Sequence, residues 1–79
     1  MLSVRDHMAL RIAATPGHPD RRITAARHEL GMSAAIFTRH VNRLLDSPEA
    51  LAAMPMEVNR LRRIRDRRRA GRSAARRAA

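Results

Sequence analysis

At 79 residues, with a net charge of +10 at neutral pH and no cysteine, the chain allows one small domain and excludes a disulfide frame or a thiolate metal site. A domain of about 60 residues buries only about 60% of its unfolded surface, so marginal stability is expected. The apolar run Met8-Ala9-Leu10 is cut short by Arg11, too early for a secretory signal, and no stretch is apolar enough to span a membrane. The expected compartment is therefore the reducing cytosol.

The first predicted helix opens at Ser3, whose hydroxyl can cap the amides that follow while Asp6 completes a capping box. It runs to about Ala14. Val4, Met8 and Ile12 recur at four-residue spacing with Leu10 nearby, which predicts a buried stripe with Arg5 and Arg11 facing water. Thr15-Pro16-Gly17-His18-Pro19 ends this helix and reads as a loop, with Asp20 as the cap of what comes next.

A second helix is predicted from Arg21 to Leu30, with Ile23, Ala26 and Leu30 facing inward. Gly31 ends it, since a glycine there takes the left-handed conformation at little cost. Ser33 then caps a third helix, Ala34 to about Asp46, which buries Phe37, Val41, Leu44 and Leu45, with Met32 plugging the angle between the two helices. Helix, three-residue turn with glycine, and helix form the helix-turn-helix pattern. An ordinary helical corner shares the same marks, and Arg27 stands where a small residue is usual.

Ser47-Pro48-Glu49 starts a short fourth helix that Pro55 ends after Met54. Met56 to about Arg69 forms the last helix, with Met54, Val58, Leu61 and Ile64 as a narrow apolar stripe. Ten of the seventeen arginines lie between Arg60 and Arg77, opposed only by Asp66, whereas the first 59 residues carry seven arginines against six acids. Beyond Gly71 the helical pattern dissolves into Arg, Ala and Ser, as in segments that order on meeting a partner. The expected fold class is thus all-α: a bundle of four to five helices over residues 1–59, then an Arg-rich helix extension and tail over 60–79.

All the basic residues are arginine. GC-rich codon usage explains this as readily as selection for the guanidinium fork, but either cause leaves a permanently charged group that pairs bidentately with phosphate or guanine.

Gly31-Met32-Ser33-Ala34, then Asn42, then Asp46-x-Pro48-Glu49-Ala50-Leu51-Ala52-Ala53-x-Pro55, and finally Arg60-Leu61-Arg62-Arg63 before an Arg-rich end form a long and specific string. It resembles a family of short, basic, uncharacterised proteins of actinobacteria and their phages, over roughly residues 24 to 69. Members are regarded as helix-turn-helix DNA-binding proteins on the strength of their pattern. Arg27 matches that family. Phe37-Thr38 departs from it, since two adjacent aromatics are usual there, and so does Met54, where an acid is common. The N-terminal helix is shorter than the family's aromatic-rich version, the sort of simplification a phage protein shows.

If the third helix enters the major groove, the side chains able to reach base edges are Ala35, Thr38, Arg39, Asn42 and Arg43, which lie off the Phe37-Val41-Leu44 stripe. Arginine suits guanine, Asn42 suits adenine, and Thr38 or Ala35 suits a thymine methyl or a phosphate. A plain solvated helix face is the competing account. Phosphate contacts are expected from Arg21, Arg22, Ser33, Arg60, Arg62, Arg63, Arg67, Arg68, Arg69 and Arg72. His40, next to Arg39, is a candidate modulator of binding near neutral pH.

The expected partner is duplex DNA, with a dimer of the chain or a host protein such as RNA polymerase as rivals. A host protein would dock on the Met54, Val58, Leu61 and Ile64 stripe. RNA is disfavoured because Phe37, the lone aromatic, reads as core rather than as a base-stacking platform. No membrane surface, metal, cofactor or small-molecule substrate is expected. His7, His18, His28 and His40 include no pair at helical ligand spacing, and no nucleophile, acid-base pair or phosphate loop supports catalysis.

Overall fold

The computed structural model describes residues 1–78, which form five helices and no strand. These are α1 (Val4–Ala14), α2 (Pro19–Leu30), α3 (Ala34–Leu45), α4 (Pro48–Ala53) and α5 (Pro55–Ala78). The all-α expectation holds.

Local signals place three helix starts. Ser3 accepts a hydrogen bond from the Asp6 amide at 3.1 Å and its own amide donates to the Asp6 carboxylate at 3.3 Å, closing the expected box. Ser33 and Ser47 cap α3 and α4 by accepting from the amides of Ile36 and Ala50. Gly31 ends α2 with φ +66° and a bond from its amide to the Arg27 carbonyl at 3.1 Å.

Elsewhere the structure corrects the sequence reading. The cap of α2 is His18, whose Nδ1 accepts from the Asp20 amide at 3.2 Å, and Pro19 is the first helical residue rather than part of the loop. A proline needs no amide partner at that position, and Asp20 then falls in the first turn beside the positive end of the helix dipole. Pro55 likewise begins α5 while following the end of α4. The last helix also passes the expected end near Arg69 and continues to Ala78. Its final stretch is mostly Arg and Ala, both strong helix formers, with Gly71 the weakest residue and Ser73 the other exception.

The core gathers Ala9, Leu10 and Ile12 of α1, Ala26 and Leu30 of α2, Phe37, Val41, Leu44 and Leu45 of α3, Ala50 of α4 and Val58 of α5. Met32 packs against this cluster from the α2–α3 connection, as expected. Helix α3 packs against all four other helices, and α1 against α2, α3 and α5, so the buried surface of α1 spreads over Ala9, Leu10 and Ile12. Val4, expected in the buried stripe, lies in the first turn and is 76% exposed, and Met8 is only half-buried. Ile23 is also half-buried, and Ala25 and Ala26 carry the close approach of α2.

Arginine supplies much of the remaining tertiary bonding. Arg5, exposed as expected, also donates to the Leu30 carbonyl at 2.7 Å and so satisfies the end of α2. Arg22 donates to the Thr15 and Gly17 carbonyls, both at 3.0 Å, and fastens the loop after α1. Arg60 reaches the Ala14 carbonyl, and Arg62 donates through Nε to the Leu45 carbonyl. Arg65 donates to the Asp46 carboxylate at 3.1 Å. A positive side chain at a helix C-terminus also meets the negative end of the helix dipole, so these contacts brace α1, α2 and α3 where a small core cannot.

Candidate nucleic-acid interface

All five candidate base-reading side chains, Ala35, Thr38, Arg39, Asn42 and Arg43, are exposed. The same periodicity that buries Phe37, Val41, Leu44 and Leu45 turns them outward. Their order around α3 is not uniform. At 100° per residue, Arg39 lies at the crest opposite the buried stripe, with Ala35 and Arg43 beside it, Thr38 and Asn42 on one flank, and Ile36 on the other. The side chains of Arg39 and Arg43 make no hydrogen bond or ion pair among the described residues.

The Thr38–Asn42 flank faces α5. Arg62 and Arg65 hold α5 at the C-terminal end of α3, through Leu45 and Asp46. From there α5 runs beside α3 towards its N-terminal half, and the two helices enclose an open groove of about 670 Å³. Thr38 and Asn42 form one wall, and Arg65, Arg68, Arg69 and Arg72 the other, where Gly71 and Ala75 also lie. No acid lines this groove. A deeper cleft of about 370 Å³ adjoins it, sharing Thr38, Asn42 and Arg68 and adding Arg22 and Arg60.

The expected phosphate residues divide accordingly. Arg68, Arg69 and Arg72 lie in the groove beside α3, and Arg67 is exposed on the same stretch of α5. Arg22 and Arg60 border the adjoining cleft but also brace the loop and the end of α1. Arg62 is half-buried and engaged at Leu45, so it serves the fold. Arg63 faces a separate cleft with Arg11, Met54 and Met56, and Arg21 a cleft between α1 and α2. Ser33 is exposed at the start of α3, its hydroxyl used by the Ile36 amide. Arg65 is the groove residue the sequence reading missed; its distance from Arg68 by one turn was the available signal.

His40 does not join the open face. Its Nε2 lies 2.9 Å from the Asp6 carboxylate, with both side chains about three-quarters covered, so it ties α3 to the start of α1. Burial alone would raise the Asp6 pKa, but hydrogen bonds from the Ser3 amide and hydroxyl and from His40, together with the His40 charge, bring it below the ordinary aspartate value. The apolar stripe of α5 is also turned inward: Val58 is fully buried, and Met54, Leu61 and Ile64 are half-buried. Among the described residues no group of three or more His, Cys, Asp or Glu is placed to hold a metal, and no helix is long and apolar enough to cross a membrane.

Residues 1–73 match the family described as protein of unknown function, DUF3263. The chain belongs to this family. The DUF3263 match takes in α1 and most of α5, so it extends beyond the residues 24 to 69 over which the sequence string carries the resemblance. Both walls of the α3–α5 groove up to Arg72 fall within the DUF3263 region. Comparison with curated proteins and with solved structures finds no match for the chain.

Proposed function

We propose that this DUF3263 protein binds duplex DNA as a small transcriptional regulator of an actinobacterium or its phage, with α2 and α3 acting as a helix-turn-helix. Helix α3 enters the major groove, Arg39 and Arg43 reach base edges, and the arginines of α5 neutralise phosphates. The observation that carries this reading is the open face of α3 lying alongside the exposed α5 arginines Arg68, Arg69 and Arg72, with no acid lining the groove they share. A major groove about 12 Å wide accepts one helix. A second helix packed at a typical 8–10 Å beside it meets the flanking backbone, where positive charge is useful.

Docking of a host protein on the α5 stripe has less support, because that stripe is largely occupied by the chain's own core. Single-strand recognition is disfavoured by the burial of Phe37, which leaves no Phe, Tyr or Trp ring for base stacking.

The test is fluorescence anisotropy of the full chain with random duplex DNA and with single-stranded RNA over a salt series. Five to eight phosphate contacts give a log-log slope of about −4 to −7 on duplex DNA. Equal affinity for both nucleic acids, with the same slope, would reduce the chain to a general polyanion binder.

A further inference from the structure

We propose that the groove between α3 and α5 is the seat of one phosphodiester strand, and that Thr38 and Asn42 therefore hold backbone rather than read bases. This rests on the duplex-binding function above. It changes what the α3 sequence alone implies, where asparagine at this place suggests adenine recognition.

Three features argue for a strand. The charged side chains along the groove are all arginines: Arg65, Arg68 and Arg72 follow one another at three- and four-residue steps, about 4.5 and 6 Å of rise along α5, with Arg69 beside Arg68, and among the described residues only Arg65 of the four is already paired, with Asp46 and Asp66. This makes a linear row of cations suited to a linear polyanion. The opposite wall supplies the Thr38 hydroxyl and the Asn42 amide, neutral donors of the kind that position phosphates. Gly71 stands between Arg69 and Arg72, and Ala75 follows one turn beyond, and these small residues leave the floor open; no atom lies within 4 Å of where a Gly71 side chain would begin.

The position of the groove separates it from the bases. Arg39 stands at the crest of α3, so a major groove that receives it also receives Arg43, about 40° round the helix on the side away from α5. Thr38 and Asn42 lie about 100° and 60° from Arg39 on the side of α5, where both line the groove, and a strand running between the helices covers them. Arginines four apart on α5, such as Arg65 and Arg69 or Arg68 and Arg72, repel one another in the free chain. Phosphates seated in the groove relieve that repulsion, so strand binding and helix formation in this part of α5 reinforce each other.

The experiment compares the full chain with Asn42→Ala and with the double variant Arg68→Ala, Arg72→Ala. Each is titrated over a salt series with a random duplex and with a duplex selected by the full chain from a random pool. The substituted residues are exposed, and circular dichroism verifies the fold of each variant. Asn42→Ala is expected to weaken both duplexes alike, by about three- to tenfold, and to leave the selected sequence unchanged. The double variant is expected to make the slope shallower by about two. A relaxed preference at a single base pair in Asn42→Ala, or a slope that the double variant does not change, overturns the strand assignment while duplex binding stands. Failure of the full chain to bind either duplex removes the function itself.

Discussion

Arg62, in the first half of α5, donates through Nε to the carbonyl oxygen of Leu45, the last residue of α3. The bond joins the Arg-rich helix to the helix that carries the outward face, and it shows that position along a basic run does not decide what an arginine does. Arg62 is half-buried and engaged, whereas Arg68, only two turns on, is exposed in the groove. We predict that Arg62→Ala lowers stability by about 1.5–3 kcal/mol, the usual contribution of a hydrogen bond to a charged group. Its salt slope on duplex DNA stays unchanged. Thermal melts and anisotropy on the same variant measure both.

The two glycines near this surface act in opposite senses. Gly31 holds φ +66°, a conformation that costs an L-residue roughly 1–2 kcal/mol, so Gly31→Ala is expected to destabilise the chain by about that amount. Gly71 lies inside α5 with open space around it. Gly71→Ala removes the weak point of the helix and is expected to favour it by about 1 kcal/mol. Helicity by circular dichroism and the melting temperature separate the two effects.

Acid sensitivity follows from Asp6. Its folded pKa lies below the ordinary aspartate value, so its contribution to stability is fully present above that value, about 3.9, and is lost as pH falls through the folded one. Melts of wild type and Asp6→Asn between pH 2.5 and 7 are expected to differ at neutral pH and converge in acid. With its partner His40 partly exposed, the difference is at most about 1 kcal/mol. A constant gap across that range would show that Asp6 acts by some other route.

Leu10 is fully buried at the centre of α1. Leu10→Ala is expected to cost about 2–5 kcal/mol, which in so small a core approaches the whole stability. Urea denaturation followed by circular dichroism gives the value, and a variant with wild-type stability would contradict the packing of Leu10 among α2, α3 and α5.

The parts of the fold legible in the sequence are those set by neighbours in the chain. Ser3 with Asp6, Gly31, Ser33 and Ser47 each act within a few residues, and each stands where its chemistry predicts. The inward face of α3 is equally plain, because Phe37, Val41, Leu44 and Leu45 repeat with the helix. His18 was hidden because Asp20 is the stronger cap by type and the role of Pro19 as first helical residue decides between them. Val4 was misplaced because periodicity gives a face but not how far the neighbouring helices extend along it. The arginine braces at Leu30, Ala14 and Leu45 join residues far apart in sequence, and no local pattern distinguishes Arg62 from Arg68. For the same reason the groove beside Thr38 and Asn42 emerges only when α5 is seen lying along α3.

The central claim is that the outward face of α3 reads duplex DNA, and the most direct measurement is selection from a random duplex pool by wild type and by Arg39→Ala. Wild type is expected to enrich a defined sequence containing guanine, and Arg39→Ala to lose preference at one position of it with about 1–3 kcal/mol of discrimination. An unenriched wild-type pool, or the same sequence enriched by both proteins, would contradict the claim.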